Sequence, residues 1–489
     1  MRQRPPVKHV KPAPPFDRSH ADREIEGLAR SAEVVVWTDP FGSKFTVPVP
    51  PTVYPPREDT NLLAKVVART FPRPSSTWLE IGCGSGVLTL FAARNGCLVT
   101  ACDINPFAVA ATKRLLASEG GRGEVLEGGP GPSKDGDVSQ WGGNRLYDTV
   151  VWNMPYLPAP GDEALHLGPM EEAGMIDTGR RSLYDRFLDI LANGSLLHAT
   201  GTAYVVISSL HIGDTACERA WSRGLAARVV ESEHFEDGER LFVVQIWRPY
   251  AGRSLEVVEE LPSTNSTLLA TDAPVGTSLR ALRQTAGKGQ RGRSWASLDN
   301  AFMASWKIGE GPVLPQPTWG QVRLGAAMTR LFEYLAGPNH SMAVCMKWPN
   351  DLYVLAGEGG WRKAAGTLME GVTKGAKTSV VVGLGLNTSV PKGVGFGGLD
   401  LLGLDLSLFE LHNAIHALVA SVFEKHGEQA CEVEREVVEA EVLRGGYLLG
   451  PILYRNKKRS ILGLNQEGEL VLDGGLTVED GNLLTWSNI

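Results

Sequence analysis

The sequence predicts an α/β fold with a mainly parallel sheet in the first half of the chain, and a small β-barrel at its C-terminal end. Two observations lead to this prediction. From residue 77 to about residue 208, short apolar runs alternate with helical patterns, an order typical of a parallel sheet covered by helices on both faces. After Gly445, short strand patterns follow one another with turn residues between them, which favours a small barrel.

The first-half strand patterns are TWLEI, CLVTACD, LYDTVVW and GTAYVVISSL, with a helix predicted from Pro106 to about Ser118. The run VVESEHFEDGERLFVVQIW indicates two further strands that close the sheet in the antiparallel sense. The Gly-rich, acidic stretch 120–143 predicts a long loop. The chain changes character near RPYAGRS, so we place a domain boundary at 248–254. A long helical pattern covers 407–443, and its glutamate-rich part indicates a solvated face.

Composition limits the class of protein. The 489 residues exceed what one hydrophobic core usually organises, so several domains are expected. Lys and Arg number 48 against 55 Asp and Glu, and the resulting net charge of −7 argues against a protein that coats nucleic acid. The six cysteines are scattered, without a CxxC pair, which indicates reduced thiols in the cytoplasm and no zinc site.

No segment approaches the roughly 20 apolar residues that cross a bilayer, so the sequence predicts a soluble protein without a membrane partner. Residues 1–30 begin with a basic, proline-rich stretch and predict a disordered tail. An organelle transit peptide is the alternative, which the scarcity of serine disfavours.

The segment LEIGCGSGVLTL places Gly82, Gly84 and Gly86 at a strand-to-helix turn, where missing side chains let a ligand approach the backbone. The next strand pattern ends at Asp103, whose carboxylate can accept hydrogen bonds from both ribose hydroxyls of a nucleoside. Either element alone is weak evidence. Together they predict a nucleoside site at this edge of the sheet.

The fourth strand pattern ends in VVWNMPYLPAP, in which Asn153, Met154, Pro155 and Tyr156 resemble the Asn-Pro-Pro-Tyr signature of amino-methylating enzymes that use S-adenosylmethionine. Two carbonyl oxygens, from the Asn153 side chain and the Met154 backbone, can accept the N–H groups of a planar nitrogen while Tyr156 stacks on it. Methionine replaces the usual proline, but this position contributes a backbone carbonyl. The alternative is an Asn-x-Pro turn that ends a strand.

This resemblance implies a Rossmann-like methyltransferase domain over residues 31–250, with Asn153, Pro155 and Tyr156 as catalytic residues. The residues implied to bind the methyl donor are Tyr54, Thr60, Glu80, Gly82, Gly84, Gly86, Asp103 and Asn153. An acid beside the adenine is left open among Glu127, Asp135 and Asp137.

The stretch VYPPREDTNLL resembles the Tyr-x-Pro-x-Glu-Asp-Thr segment of archaeal and eukaryotic release-factor glutamine methyltransferases, although it also suits a helix cap. The resemblance implies methylation of a glutamine amide in a translation release factor, with a small zinc-binding activator subunit as partner. A nucleobase amine has the same planar geometry and is a competing substrate. A non-catalytic binding or regulatory module is the third alternative.

The second half contains LPSTNSTLLA, TAGKGQRGRSW, MKWPNDLYV, WRKAAGTLMEG and VVVGLGLNTS. The glycines of the second stretch can turn backbone N–H groups towards an anion that its cations neutralise. In this order and spacing, the five stretches resemble biotin protein ligases over residues 254–489. That resemblance implies an α+β catalytic domain at 254–444, a barrel at 445–489, and biotinylation of a lysine on a biotin carboxyl carrier domain through biotinyl-5′-AMP.

The ligase resemblance implies biotin, ATP and Mg²⁺ as ligands, and Lys363 as the lysine that reaches the reacting carboxylate and α-phosphate. Asp351 can help to hold Mg²⁺ among the phosphates, and no protein metal site is predicted. Lys288 and Gln290 stand where the family has arginines, so we expect weaker retention of the adenylate. The residues implied to bind biotin and ATP are Ser263, Thr264, Asn265, Gln284, Gly287, Lys288, Gly289, Gln290, Arg291, Gly292, Arg293, Trp295, Lys347, Asp351, Gly366 and Asn387.

Overall fold

A computed structural model describes residues 25–489, apart from 71–72, 132–137, 156, 159–175, 178–180, 211, 237, 254, 290–291, 294, 296–300, 313, 341, 358–359, 392 and 428–431. The predicted tail up to residue 24 and the candidate site residues Asp135, Asp137, Tyr156, Gln290 and Arg291 therefore lie outside the described residues. The chain divides into two compact units. The first contains residues up to 216 together with 229–247, and the second contains 217–228 together with 248–489.

The elements up to residue 247 form a hairpin and a seven-stranded sheet with helices between its strands. In chain order they are β1 (Glu33–Thr38), β2 (Lys44–Val49), α1 (Glu58–Arg69), β3 (Thr77–Ile81), α2 (Val87–Arg94), β4 (Leu98–Asp103), α3 (Pro106–Ser118), β5 (Gly123–Glu127), α4 (Val138–Trp141), β6 (Tyr147–Asn153), β7 (Leu157–Pro158), β8 (Ile176–Asp177), α5 (Leu183–Ala192), β9 (Leu197–Ser208), α6 (Ala216–Trp221), β10 (Ala226–His234) and β11 (Arg240–Trp247).

The strands of this sheet lie in the order β10-β11-β9-β6-β3-β4-β5. Strands β5, β4, β3, β6 and β9 are parallel, and β11 is antiparallel to β9. The predicted α/β organisation is confirmed. Strand β3 is central, and four of its five residues are buried, as expected for a strand with both faces covered. Helix α3 begins where predicted because the Asn105 side chain accepts the Phe107 N–H and Pro106 occupies the first turn.

One prediction for this sheet was wrong. The stretch 120–143 is not a continuous loop, because it contains the edge strand β5 and the short helix α4. Three of the five β5 residues are exposed, so the strand lacks the apolar alternation of a half-buried strand. Pairing with β4, from Val99 with Gly123 to Asp103 with Glu127, holds it in the sheet.

The second unit contains a mixed seven-stranded sheet in the order β12-β13-β14-β18-β17-β16-β15, with β12 parallel to β13 and the other pairs antiparallel. Helix α8 contacts β15, β16 and β17, and α9 contacts β14. The elements are β12 (Leu255–Leu261), α7 (Thr264–Ala270), β13 (Ser278–Gln284), β14 (Ala301–Glu310), α8 (Pro317–Ala336), β15 (Val344–Lys347), β16 (Asp351–Leu355), β17 (Trp361–Lys374), β18 (Lys377–Asn387), α9 (Leu408–Phe423) and α10 (Glu432–Leu448).

The helical pattern over 407–443 corresponds to two helices, since α9 ends before Glu424, which has an extended backbone. After α10, six short strands form two three-stranded antiparallel sheets, ordered β20-β19-β24 and β21-β22-β23. They are β19 (Ile452–Tyr454), β20 (Lys457–Arg459), β21 (Ile461–Leu464), β22 (Leu470–Leu472), β23 (Leu476–Val478) and β24 (Leu484–Trp486). Closure into the predicted barrel is not confirmed. Within the described part of the chain, no helix is both long and apolar enough to cross a bilayer.

Candidate active sites

The first candidate site is built on the glycine turn between β3 and α2. Gly82, Gly84 and Gly86 have φ angles of 67°, 49° and 87°, a left-handed conformation that side chains disfavour. Space is limited as well: a Cβ on Gly86 would lie 2.7 Å from Thr112 Oγ1, and a Cβ on Gly84 would lie 3.3 Å from the Tyr54 carbonyl oxygen. The turn therefore requires glycine for both its backbone and its packing.

Asp103 ends β4 directly beside this turn. Its Oδ2 accepts the Gly84 N–H at 2.8 Å, and its Oδ1 accepts the Asn105 N–H at 2.8 Å. Burial raises the pKa of Asp103, while these backbone N–H groups oppose the rise. The carboxylate thus braces the glycine turn, and each oxygen keeps lone-pair capacity for the predicted ribose hydroxyls.

The segment that contains Tyr54 and Thr60 lies against the glycine turn. The Asn105 side-chain amide donates to the Thr52 carbonyl at 2.9 Å, and the Tyr54 carbonyl approaches Gly84. The Tyr54 hydroxyl donates to Asp59 Oδ2 at 2.8 Å, and the Thr60 N–H donates to Asp59 Oδ1 at 2.6 Å. Tyr54, Asp59 and Thr60 therefore hold the start of α1 next to the turn.

Asn153 is the last residue of β6, the neighbour of β3. Its Oδ1 atom is buried, and no described group donates a hydrogen bond to it. Its carbonyl oxygen lies 4.0 Å from where a Cβ on Gly82 would be. Met154 is buried and Pro155 is half-buried. The buried acceptor beside the glycine turn suits the predicted role of accepting a substrate N–H.

Glu127 is the only candidate for the adenine-side acid within the described residues. It ends β5 and is exposed, and it pairs in register with Asp103. The other two candidates, Asp135 and Asp137, lie outside the described residues.

Glu80 lies in β3 and is 5% exposed, with the Thr89 hydroxyl donating to its carboxyl group. Burial raises the pKa of Glu80 to about 8. A carboxyl group whose pKa is higher in the folded chain stabilises the fold most below its unfolded pKa, and this contribution is lost as the pH rises through about 8. Glu80 therefore acts as a buried, neutral hydrogen-bonding group at neutral pH.

We expect Glu80→Gln to flatten the dependence of stability on pH, since an amide stays neutral at every pH. The thermal unfolding midpoint of the original chain should fall relative to the variant as the pH is raised from 5 to 8.5. Differential scanning calorimetry of both chains, without ligand, checks this. A constant difference in midpoint across that range would contradict a raised pKa for Glu80.

The second candidate site is a cavity of about 170 Å³ in the second unit. It gathers eight of the residues predicted for the ligase site together with seven others that were not in the predicted set. The predicted residues are Lys288, Gly289, Arg293, Trp295, Lys347, Asp351, Lys363 and Gly366. The others are Trp348, Pro349, Asn350, Thr367, Leu368, Gly481 and Asn482.

The glycine-rich loop doubles back on itself at the edge of this cavity. The Gly289 N–H donates to the Arg293 carbonyl at 2.7 Å, and the Trp295 N–H donates to the Gly287 carbonyl at 2.9 Å. Gly292 is exposed and has a φ of 75°, which permits the reversal. The loop consequently brings Lys288 and Arg293 to the cavity wall.

Positive charge dominates the cavity lining. Four cationic side chains, Lys288, Arg293, Lys347 and Lys363, line it with one acidic side chain, Asp351. The Lys363 ammonium lies 2.7 Å from Asp351 Oδ1 and 5.5 Å from the centre of the Trp295 ring. Burial lowers the pKa of Lys347, and the neighbouring cations add to this while Asp351 opposes it. Such a lining favours an anionic ligand such as phosphate.

Asp351 is the only residue that the sequence offered for Mg²⁺, and the structure places it in the ion pair with Lys363. Across the described parts of the chain, no three His, Cys, Asp or Glu side chains are grouped as metal ligands would be.

Trp295 occupies a slot formed by two glycines on paired strands. Gly366 of β17 and Gly385 of β18 are register partners. A Cβ on Gly385 would lie 2.4 Å from Trp295 Cε2, and a Cβ on Gly366 would lie 3.2 Å from Cζ3. The role of Gly385 was missed, although the repeated glycines of VVVGLGLN were a visible signal.

Three predicted residues start or stabilise α7. Ser263 caps the helix by accepting the Ser266 N–H, and the Thr264 N–H donates to Gln284 Oε1 at 2.8 Å. The Asn265 amide donates to Glu370 Oε2 at 2.8 Å.

Seven described residues of the predicted set do not line the cavity, namely Ser263, Thr264, Asn265, Gln284, Gly287, Gly292 and Asn387. Asn387 is buried, donates to the Gly397 carbonyl at 3.1 Å, and is not among the residues that line the cavity. Gly481 and Asn482 line the cavity from the C-terminal segment, more than a hundred residues from the other lining residues, so no local pattern could have indicated them.

Comparisons with known proteins agree with the division of the chain into two units. Residues 257–387 match the biotin/lipoate A/B protein ligase family. Over 164 residues the chain is 35% identical to the biotin--[acetyl-CoA-carboxylase] ligase of Mycobacterium tuberculosis, covering 32% of this chain and 57% of that relative. Over 93 residues it is 37% identical to ribosomal RNA small subunit methyltransferase C of Chromohalobacter salexigens, covering 19% of this chain and 24% of that relative.

Among solved structures, the chain is similar to the Mtq2–Trm112 complex of E. cuniculi, which is responsible for methylation of the eRF1 translation termination factor. The identity is 20% and the TM-score 0.28, with 40% of this chain and 99% of that chain covered. The chain thus spans 57% of the length of the Mycobacterium tuberculosis ligase and 24% of the length of the Chromohalobacter salexigens methyltransferase. Residues 257–387 are therefore similar to the biotin/lipoate A/B protein ligase family, and the chain is also similar to a methyltransferase over 93 residues.

Proposed function

We propose that the second unit joins the biotin carboxylate to the α-phosphate of ATP, with release of pyrophosphate, and then transfers the biotinyl group to the amine of a lysine on a biotin carboxyl carrier domain, with release of AMP. The observation that carries this proposal is the cavity lined by four cationic side chains and by the glycine-rich loop. The joining step places a carboxylate against a phosphate, so cations must neutralise both anions before the carboxylate oxygen can attack. Lys363 is the residue that we assign to the reacting carboxylate and α-phosphate.

Three further assignments complete this half. Lys288, Lys347 and Arg293 bind the phosphates, Trp295 lies beside the adenine, and the Thr264–Gln284 pair binds the biotin head group. Mg²⁺ enters with ATP, since Mg²⁺ is usually held by substrate phosphates together with one or two carboxylates. Residues 254–444 are the catalytic domain and 445–489 a small β-barrel, in a cytoplasmic protein.

A direct assay tests this half. The purified full chain is incubated with ATP, Mg²⁺, biotin and a biotin carboxyl carrier domain, and mass spectrometry scores biotinyl-lysine. Appearance of the modified lysine, dependent on both ATP and biotin, is the expected result. Uptake of neither biotin nor ATP by the folded chain would contradict the proposal.

Gly385→Ala is expected to lower the rate of biotinylation about tenfold or more. The new methyl group would overlap the Trp295 ring, and misplacing a group that positions a reactant can cost on the order of a hundredfold in rate. Steady-state rates of carrier biotinylation measure the effect. Gly371→Ala is the matched control, because a Cβ there meets nothing closer than 3.6 Å and its rate should be unchanged. Equal rates for the two variants would show that the Trp295 slot is unimportant.

We propose that the first unit, residues 31–250, is a Rossmann-like methyltransferase that transfers a methyl group to a planar amide nitrogen, a glutamine of a translation release factor. The observation that supports this proposal is the buried Asn153 Oδ1 atom next to the glycine turn. No described group donates a hydrogen bond to it. S-adenosylmethionine supplies an already activated methyl group when it is bound. Gly82, Gly84, Asp103 and the Tyr54 segment would hold its nucleoside portion. The Asn153 and Met154 carbonyls orient the acceptor nitrogen, with Pro155 restraining the backbone between them and Tyr156.

A nucleobase amine is a second candidate substrate, favoured by the match to a ribosomal RNA methyltransferase. Labelled S-adenosylmethionine is supplied to the full chain with a release factor and a zinc-binding activator subunit, or with ribosomal RNA. Label on the release-factor glutamine supports the first proposal, and label on RNA supports the second. Donor binding without any transfer would favour a non-catalytic module.

A further inference from the structure

A chain of buried polar side chains runs behind Thr264 in the second unit. We call Thr264, Ser305, Asn265 and Glu370 the polar chain. Oxygen atoms of Thr264 and Ser305 lie 2.7 Å apart, Ser305 Oγ lies 2.6 Å from Asn265 Oδ1, and Asn265 Nδ2 lies 2.8 Å from Glu370 Oε2. Thr264, Asn265 and Ser305 are all less than 5% exposed. These three residues are therefore shielded from water, which strengthens the hydrogen bonds between them, while Glu370 at the end of the polar chain is half-buried.

The donors and acceptors of the polar chain can be arranged in one way. A carboxylate only accepts, so Asn265 turns its amide nitrogen to Glu370 and its carbonyl oxygen to Ser305. The same amide nitrogen also donates to the Leu368 carbonyl at 3.2 Å, which agrees with this orientation. Ser305 has a single hydroxyl hydrogen, which it donates to Asn265 Oδ1. The Thr264 hydroxyl has two possible acceptors, Ser305 Oγ at 2.7 Å and Gln284 Oε1 at 3.3 Å. Because Ser305 has no second hydrogen to donate, the shorter contact requires the Thr264 hydroxyl to donate to Ser305.

This arrangement of donors and acceptors determines which hydrogen-bonding groups Thr264 and Gln284 can offer to a ligand. With its hydrogen committed, the Thr264 oxygen offers only lone pairs. Gln284 Oε1 accepts the Thr264 N–H, so the amide NH₂ of Gln284 remains as a donor. That nitrogen faces the glycine-rich loop, 3.8 Å from where a Cβ on Gly287 would be. The pair therefore offers one acceptor and one donor next to each other.

A cyclic urea has the complementary pattern, a carbonyl acceptor flanked by N–H donors. We propose that Ser305 and Glu370 are positioning residues that orient Thr264 and Gln284 for a ring-borne urea, the head group of biotin. This inference rests on the proposed ligase function. Ser305 is fully buried and acts through Thr264 and Asn265. Its register partner Gly383 leaves room for Asn265, since a Cβ there would lie 2.2 Å from Asn265 Oδ1.

Calorimetric titration of the full chain with biotin and with 2-iminobiotin tests the inference. In 2-iminobiotin a protonated nitrogen replaces the ureido oxygen at neutral pH, so a donor stands where biotin has an acceptor. Ser305→Ala should weaken biotin binding about tenfold, the typical effect of breaking a buried hydrogen bond. It should also reduce the preference for biotin over 2-iminobiotin. Glu370→Gln should reduce the same preference with little change in side-chain volume. An amide at position 370 can donate as well as accept a hydrogen bond, so the Asn265 amide can adopt its flipped orientation.

Ser278→Ala is the matched control, since Ser278 is equally buried and its hydroxyl has no hydrogen-bond partner among the described residues. It should leave both affinities unchanged. Equal weakening of both ligands by Ser305→Ala and Glu370→Gln would indicate only a loosened fold and overturn the inference, as would unchanged affinities. Those two results leave the ligase proposal intact, whereas failure of the unsubstituted chain to bind biotin overturns both.

Discussion

Lys363→Met is expected to lower the rate of adenylate formation from biotin and ATP by about two to three orders of magnitude, the usual effect of removing one preorganised charge-stabilising group. The Lys363 ammonium lies inside the cationic cavity, 2.7 Å from Asp351 and over the Trp295 ring. Methionine has similar length without charge. The developing negative charge on the phosphate would then lose its nearest donor.

Release of pyrophosphate, followed in a coupled assay with biotin and ATP, measures this rate. Lys374→Met is the matched control, because Lys374 lies on the same strand and its ammonium contacts only the Leu269 carbonyl among the described residues, at 3.4 Å. Its rate should match that of the unsubstituted chain. If Lys363→Met retained more than about a tenth of the rate, the catalytic assignment of Lys363 would be wrong.

Asn153→Ala is expected to reduce methyl transfer about a hundredfold or more while leaving donor binding within about twofold. Its side-chain oxygen is buried without a described donor, and we propose that it holds the acceptor nitrogen. We assign the nucleoside contacts to the glycine turn and to Asp103, which the Gly84 N–H joins. In the Asn153→Ala variant, the nitrogen that accepts the methyl group would lose its orientation. The binding site for the methyl donor would be retained.

Filter binding of labelled methyl groups to the acceptor gives the transfer rate, and calorimetry with S-adenosylmethionine gives donor affinity. Asn193→Ala, an exposed residue just after α5, serves as the control and should change neither quantity. Parallel loss of donor binding and transfer would mean that Asn153 supports the nucleoside pocket. In that case the assigned role is incorrect.

The order of elements in the first sheet was largely predictable because its central strands are continuous apolar runs. Strand β5 was not, since its exposed glutamates carry no strand alternation and its conformation depends on pairing with β4. The break between α9 and α10 was also missed. Both helices share one helical pattern, and the extended backbone at Glu424 leaves no distinct local signal.

The residues of the candidate sites were likewise predictable from the sequence only in part. Sequence patterns located the glycine turn, Asp103 and the cationic loop, because each lies within a few residues of a strand end. They did not locate Ser305, Glu370 or Asn482, which meet the site through strand pairing and chain return over long sequence separations. No spacing rule connects residues that only the folded sheet brings together.

The double hydrogen bonding of Asp103 has a consequence for how the methyl donor enters. Because one carboxylate oxygen already holds Gly84 and the other holds Asn105 at the start of α3, the glycine turn has few conformations to lose when a nucleoside arrives. Association should then proceed as a single kinetic phase whose observed rate rises linearly with donor concentration, without the plateau that a slow rearrangement of the loop would impose.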